Sequence, residues 1–135
     1  MGVRVIAIDT GTAKRDLCLS LGASTFFDFK ASTDLVGDVK AATGGGAHCV
    51  MVAAGSSAAY NAACFYLRPT GTLLVVALPH GAMIEVPVIL VGGYGLNIKG
   101  SLIGNRKQSI EAVQLAAAGK VKVNYTVRGL SEVNE

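Results

Sequence analysis

Apolar runs alternate with helical patterns along the chain, and these runs predict five strands. They lie at residues 4–9, 24–27, 48–52, 71–76 and 97–102. The first four are nearly continuous in apolar residues, which is typical of strands in a sheet that is covered on both faces. The last run alternates somewhat and suits a strand nearer the edge of the sheet.

Four helices are predicted from apolar stripes and from the residues that start and stop helices. Their predicted bounds run from before Leu17 to Gly22, from Ser32 or Thr33 to near Gly44, from residues 55–57 to before Pro69, and from Asn105 to Gly119. The third helix is predicted to turn Tyr60, Ala63, Cys64 and Leu67 inward. Asn105 with Gln108 resembles a capping box, in which two side chains satisfy the free amides of the first turn.

The alternation of strands and helices predicts the fold. Strands that alternate with helices lie parallel and are joined by right-handed crossovers, so we expect an α/β protein with a doubly wound, mostly parallel, Rossmann-like sheet. Residues 1–135 are interpreted as one domain, long enough to bury about two-thirds of the unfolded surface. The segment 79–96 departs from the rhythm and is predicted to be a loop with a short helix or a partner-facing segment.

Composition and charge exclude several classes of function. The net charge is only +3, and no clustered basic face is interleaved with aromatic residues, which argues against nucleic-acid binding. No apolar run approaches the ~20 residues that span a bilayer, and the first residues do not resemble a secretory signal. Three widely spaced cysteines predict buried free thiols in a reducing compartment, here the cytoplasm.

Asp9 is the most informative polar position, because it ends the first predicted strand and precedes Thr10 and Gly11. In a dinucleotide-binding fold, a carboxylate at the end of the second strand accepts hydrogen bonds from the ribose hydroxyls and repels a 2′-phosphate, which favours NAD over NADP. An aspartate that bonds its own turn explains the same pattern. Lys14 opens the next helix, where a cation is not favoured by the macrodipole. It either contacts the ribose or a phosphate or is a solvated surface lysine.

Motifs of other enzyme classes are missing from the sequence. There is no G-x-G-x-x-G, no G-x-x-x-x-G-K-[ST] and no Tyr-x-x-x-Lys pair. The glycines at 44–46 follow a helix and are interpreted as a connector. His48 and Cys49 are adjacent, so their side chains would face opposite sides of a strand and are not expected to share a metal. We therefore assign no catalytic residue and no metal ligand.

Several segments taken together resemble the medium-chain zinc-dependent alcohol dehydrogenases, most closely the tetrameric microbial class. The similar segments are residues 2–11, Lys14, 21–23, 27–29, 41–48, 66–72, 78–82 and 99–106, in order and without large gaps. The resemblance implies cofactor-binding roles at matching positions. Asp9 would hold the adenosine ribose with support from Lys14, and Phe29 would lie near the adenine. Val76, Leu78, Ser101 and Ile103 would border the nicotinamide half.

Members of this family also carry a catalytic domain with every zinc ligand, and a first Rossmann strand with a glycine-rich turn. Neither is found in these 135 residues. The resemblance thus implies a partial NAD-binding domain that is inactive alone, with NAD as cofactor and zinc only in the absent catalytic domain. The intact parent is expected to be a homo-oligomer that transfers a hydride between a primary alcohol and NAD, with a small alcohol or aldehyde as its partner.

Two other functions remain open from the sequence. One is a zinc-free medium-chain reductase of the quinone reductase type. Those relatives usually prefer NADP and lack an acid at the end of this strand, so Asp9 weighs against it. The other is a non-enzymatic domain that associates through residues 86–103, an apolar segment with glycines.

Overall fold

The computed structural model describes residues 2–121 and 125–132, and it divides into two compact units. The first unit, Met1–Ser101, contains every strand of the described residues and four of the five α-helices. The second unit, Leu102–Glu135, contains one α-helix and a 3-10 turn at Leu130–Glu132.

The helices and strands alternate as the apolar pattern predicts. The strands are β1 (Ile6–Asp9), β2 (Thr25–Asp28), β3 (Ala47–Val52), β4 (Leu67–Val75) and β5 (Asn97–Gly100). The helices are α1 (Thr12–Ser20), α2 (Leu35–Thr43), α3 (Ser57–Tyr66), α4 (Val88–Gly92) and α5 (Arg106–Ala117). The segment 79–96 is indeed a loop with one short helix, α4.

All strand pairs are parallel, which confirms the predicted α/β class. β1 pairs with β2, and β4 lies between β3 and β5. Within the part of the chain that is described, no hydrogen-bonded ladder joins these two sheets. They correspond to the two halves of the doubly wound order 3-2-1-4-5-6 with strand 1 left out. The fold is therefore Rossmann-like and incomplete, as predicted.

The core lies between the larger sheet and α2 and α3. Its buried residues are Val39, Val52, Tyr60, Ala63, Cys64, Tyr66, Leu67, Leu73 and Leu96. Ile8 and Phe27 of the smaller sheet pack against this core. Burial of one large apolar side chain stabilises a fold by about 1.5–3 kcal/mol, so these contacts hold the two sheets together without a shared ladder.

Helix caps explain where the helices begin. The Ser56 hydroxyl accepts a hydrogen bond from the Ala59 amide at 3.3 Å and starts α3. The capping box of α5 is confirmed, because Asn105 and Gln108 bond each other's backbone amides. The predicted start of α2 at Ser32 or Thr33 is wrong by one or two residues. Asp34 is the cap, since a carboxylate accepts the Gly37 amide there at 2.9 Å.

The start of β4 differs from the prediction. β4 begins at Leu67 rather than at residue 71, because Leu67 pairs with Ala47 before the register shifts. The prediction that Leu67 belongs to the third helix is therefore wrong, although Leu67 is buried. Thr70, with a φ of 63°, lies in the irregular stretch that follows. The apolar pattern did not reveal this start because the pairing partner is distant in sequence.

One face of the larger sheet is open in the described chain, although both faces were expected to be covered. Met51 is 64% exposed and lies in register with Leu74 and Lys99 on this face. Val50, Leu73 and their neighbours on the other face pack into the core. The cysteines follow the same division, since Cys64 is buried and Cys49 is exposed. The prediction of buried thiols is thus wrong for Cys49.

Candidate functional site

Two aspartates end the two strands of the smaller sheet. Asp9 is the last residue of β1 and Asp28 is the last residue of β2, and the parallel ladder places them in register. Neighbouring strands lie about 4.8 Å apart, so the two side chains leave the sheet side by side. The carboxyl edge of a parallel sheet is where ligands bind in doubly wound folds.

The carboxylate of Asp9 is only partly engaged by the protein. Its Oδ1 accepts hydrogen bonds from the Thr10 amide and from Lys14 Nζ, both at 2.8 Å. The Lys14 hydrogen bond is the main reason that the pKa of Asp9 lies below its usual value. Among the described residues no hydrogen bond reaches Oδ2, and the side chain is 39% exposed. One oxygen of Asp9 is therefore free to accept a ligand hydroxyl.

Asp28 is a second strand-end carboxylate, which was not among the predicted site residues. Its Oδ2 accepts the Gly11 amide at 3.0 Å, and its Oδ1 accepts the Lys30 amide at 2.9 Å. These backbone hydrogen bonds, that of Gly11 first, lower the pKa of Asp28. The only available signal was a second acid at the end of a predicted strand, within the similar segment 27–29.

Gly11 joins the two strand ends to α1. Its φ of 94° and ψ of 150° are accessible to glycine and strained for other residues. Gly11 caps α1 without a side chain, and its amide is held by Asp28 instead. The turn between β1 and α1 is thereby fixed by one glycine and one carboxylate.

Phe29 lies beside this turn. Its amide donates to the main-chain carbonyl of Asp9 at 3.1 Å, and its side chain is 48% exposed. The structure thus brings together three of the predicted site residues, namely Asp9, Lys14 and Phe29. The exposed aromatic residue at this turn offers a surface on which a flat ring can stack.

A second set of predicted residues follows the strands of the larger sheet. Val76 and Leu78 lie just after β4, and 36% and 64% of their surfaces are exposed. The Val76 amide donates to the carbonyl of Val52 at 3.2 Å, which ties the end of β4 to the end of β3. Ser101 follows β5, and its amide donates to the carbonyl of Val75 at 2.8 Å.

Ile103 belongs to the second unit, where it is 88% exposed. Its role at the nicotinamide half stays a prediction from the resemblance.

The described residues contain no group of three or more His, Cys, Asp or Glu side chains that could hold a metal ion. The zinc that the resemblance assigns to a catalytic domain therefore finds no ligand set in this part of the chain. His48 contacts Arg68 instead, with Nε2 at 2.5 Å from a guanidinium nitrogen. No helix within residues 2–121 and 125–132 is long and apolar enough to cross a membrane.

The fold and the two strand-end carboxylates define the class of Rossmann-like α/β domains. Comparison with known proteins narrows this class. A family model described as zinc-binding dehydrogenase matches residues 1–118. The chain therefore belongs to the medium-chain zinc-dependent dehydrogenase family, as a partial domain.

Several of the similar proteins are alcohol dehydrogenases. Alcohol dehydrogenase 1 of Emericella nidulans is 42% identical over 98% of this chain, which spans 39% of that protein. The alcohol dehydrogenase of Schizosaccharomyces pombe is 42% identical over 97% of the chain and 37% of its own length. The crystal structure of the Aeropyrum pernix alcohol dehydrogenase superposes with a TM-score of 0.87 at 33% identity, covering 98% of this chain and 38% of that one. This chain thus spans about two-fifths of its relatives.

Membership of this family also bears on cofactors. A zinc-dependent dehydrogenase implies a nicotinamide dinucleotide, NAD or NADP, and zinc in the whole enzyme. The expected alcohol dehydrogenase resemblance is confirmed at the level of the family. The choice between NAD and NADP depends on the site itself.

Proposed function

We propose that this chain is the NAD-binding segment of an alcohol dehydrogenase and that the carboxylate of Asp9 accepts hydrogen bonds from the adenosine ribose. The observation that carries the proposal is the position of Asp9 at the carboxyl end of β1, with one carboxylate oxygen free of protein hydrogen bonds among the described residues. A ribose diol offers the hydroxyl donors that such an oxygen accepts.

The remaining contacts follow the same edge of the smaller sheet. Lys14 Nζ bonds Asp9 Oδ1, which holds the carboxylate in one orientation and leaves its other oxygen toward the ligand. The exposed ring of Phe29 gives the adenine an aromatic face. The chain's own residues therefore bind and orient the adenosine half of the cofactor.

Val76, Leu78, Ser101 and Ile103 are proposed to border the nicotinamide half. Their supporting observation is that Val76 and Ser101 follow adjacent strands whose ends are tied together by backbone hydrogen bonds. In the whole enzyme, bound NAD would supply the acceptor for the hydride of the alcohol. The proposed role of this segment is to position the cofactor for that transfer, and the segment alone is expected to be inactive.

The test is a titration of the chain with NAD, followed by NMR of the backbone amides. We expect weak binding, with shifts centred on Thr10, Gly11 and Phe29. Asp9→Asn should weaken it about ten-fold or more, because a hydrogen bond to a charged group contributes about 1.5–3 kcal/mol. Asp16→Asn is the matched control, since Asp16 is an exposed aspartate of α1 that pairs with Arg15.

Two results would contradict the proposal. One is NAD binding that is unaffected by Asp9→Asn. The other is a clear preference for NADP, which would favour the alternative of a zinc-free reductase of the quinone reductase type.

A second candidate function is self-association through residues 86–103. The specific observation is the exposure of apolar side chains on and beside α4, where Val88 is 85% and Ile89 is 67% exposed. Contiguous exposed apolar residues are typical of protein interfaces. Sedimentation of dilute protein tests this function, and a monomer at all concentrations, unchanged by Ile89→Ser, would contradict it.

A further inference from the structure

The turn after β1 is held by two different carboxylates. The Thr10 amide donates to Asp9 Oδ1, and the next amide along the chain, that of Gly11, donates to Asp28 Oδ2. Two successive amides of one turn thus point at two acids. Because backbone amides of consecutive residues are close together, this geometry keeps both negative charges at the same end of the sheet.

Asp9 and Asp28 differ in how their charges are compensated. Lys14 forms a salt bridge with Asp9 at 2.8 Å. No Lys or Arg within the described chain forms a salt bridge with Asp28. Lys30, the nearest cationic residue in sequence, contributes only its main-chain amide. Together Asp9, Asp28 and Lys14 carry a net charge of −1, and within the described residues Asp28 is the carboxylate of the two that has no salt bridge.

This charge count changes which residue opposes a phosphate. A 2′-phosphate carries about two negative charges near pH 7. Beside Asp9 it would meet a carboxylate that is already paired with an ammonium group. The repulsion that Lys14 leaves in place comes from Asp28.

We propose that Asp28 is a second specificity-determining residue of the ribose site, excluding a 2′-phosphate through its charge and holding the turn through the Gly11 amide. This inference rests on the proposed function, since it assumes that the adenosine ribose lies at Asp9. It assigns two separable tasks to one carboxylate. The charge acts on a 2′-phosphorylated ribose alone, and the hydrogen bond to Gly11 acts on every ligand of the site.

Two substitutions separate these tasks. Asp28→Asn removes the charge and retains one acceptor oxygen, so one of the amides of Gly11 and Lys30 keeps its partner. Asp28→Ala removes the charge and both acceptors, so Gly11 and Lys30 lose their partners. The probes are NAD and NADP, titrated into the 135-residue chain at low ionic strength and again in 0.5 M NaCl.

We expect Asp28→Asn to raise the affinity for NADP relative to that for NAD roughly five-fold, since one charge is removed near a dianion in a solvated site. The gain should shrink in high salt, because exposed charges are screened. Asp28→Ala should weaken the binding of NAD and shift the Gly11 amide resonance. Asp16→Asn should change neither affinity.

A readout without ligand complements the titrations. The hydrogen bond from Lys14 is the main reason that the pKa of Asp9 lies below its usual value, and the like charge of Asp28 opposes this shift. Carbon NMR of the Asp9 carboxyl should therefore show a lower pKa in Asp28→Asn than in the unsubstituted chain.

The outcomes distinguish the two proposals. Suppose that Asp9→Asn weakens the binding of NAD, but Asp28→Asn changes neither the affinity for NADP nor the pKa of Asp9. The role of Asp28 is then contradicted, and the proposed function is retained. If the unsubstituted chain binds neither dinucleotide, or Asp9→Asn does not change the affinity for NAD, both the role of Asp28 and the proposed function are contradicted.

Discussion

The hydroxyl of Tyr60 donates a hydrogen bond to the main-chain carbonyl of Ala77, two residues beyond the end of β4. Tyr60 lies on α3 and is 2% exposed. The carbonyl of Val52, at the end of β3, lies 3.4 Å from the same hydroxyl. One buried side chain thus fixes the ends of two adjacent strands, between the residues proposed to border the nicotinamide.

Tyr60→Phe should lower the free energy of unfolding by about 1–3 kcal/mol, because it leaves the carbonyl of Ala77 without its donor in a partly buried position. Urea denaturation measures the change. Tyr66→Phe is the control, since Tyr66 is also buried on α3 and its hydroxyl forms no hydrogen bond with the described residues. Equal losses in both variants would contradict the assigned hydrogen bond.

Gly46→Ala should destabilise the fold more than Gly45→Ala. Both glycines have a positive φ, 127° and 105°, so both variants bear backbone strain of about 1–3 kcal/mol. At Gly46 a Cβ would also lie 2.6 Å from the Arg68 backbone nitrogen, whereas at Gly45 it would meet open space. Thermal denaturation of the two variants gives the difference, and a Gly45 variant as unstable as the Gly46 variant would refute the close contact with β4.

Leu73→Ala should lower the free energy of unfolding by about 2–5 kcal/mol, because Leu73 is completely buried in β4 and truncation of its side chain leaves a cavity. Met51→Ala, on the open face of the same sheet, should cost well under half of that. Urea denaturation of both variants compares the two faces directly. A large loss at Met51 would indicate that this face is covered in the protein as it exists in solution.

The contribution of the Lys14–Asp9 pair to stability should depend on pH. The pKa of Asp9 in the folded chain lies below the ordinary value of 3.8, so the folded state favours the ionised form. The contribution is therefore fully present above the unfolded pKa and is lost as the pH falls through the folded one. We expect the difference in unfolding free energy between the unsubstituted chain and Lys14→Met to be constant from about pH 7 to pH 5 and to shrink below pH 4. A difference that persists at pH 2 would contradict an ionic interaction.

Local patterns in the sequence predict much of this fold, because many of its elements depend on neighbouring residues. The apolar run of β3 and the capping box of Asn105 with Gln108 are such elements, and both occur within a residue or two of the predicted positions. The inward face of α3 is also confirmed, since Tyr60, Ala63 and Cys64 are buried.

Features that depend on distant partners were not predicted. The pairing of Leu67 with Ala47 extends β4 toward its beginning, and the bond from Gly11 to Asp28 spans 17 residues. No local period encodes such a contact. Asp9 could be predicted as a site residue because its position at the end of a strand is a local property, whereas the hydrogen bond from Gly11 to Asp28 forms only when β1 and β2 lie side by side.

The absence of a ladder between β1 and β3 within the described chain has a consequence for how the protein opens. β1 and β2 are held to the core by side chains such as Ile8 and Phe27, whereas β3, β4 and β5 share continuous backbone pairing. Segments joined by few contacts open locally, well below the free energy of global unfolding. Amide hydrogens of β1 and β2 should therefore exchange with solvent water faster than those of β4. A ligand seated at the end of β1 would slow that exchange, so occupancy of the adenosine site becomes visible as protection of the smaller sheet.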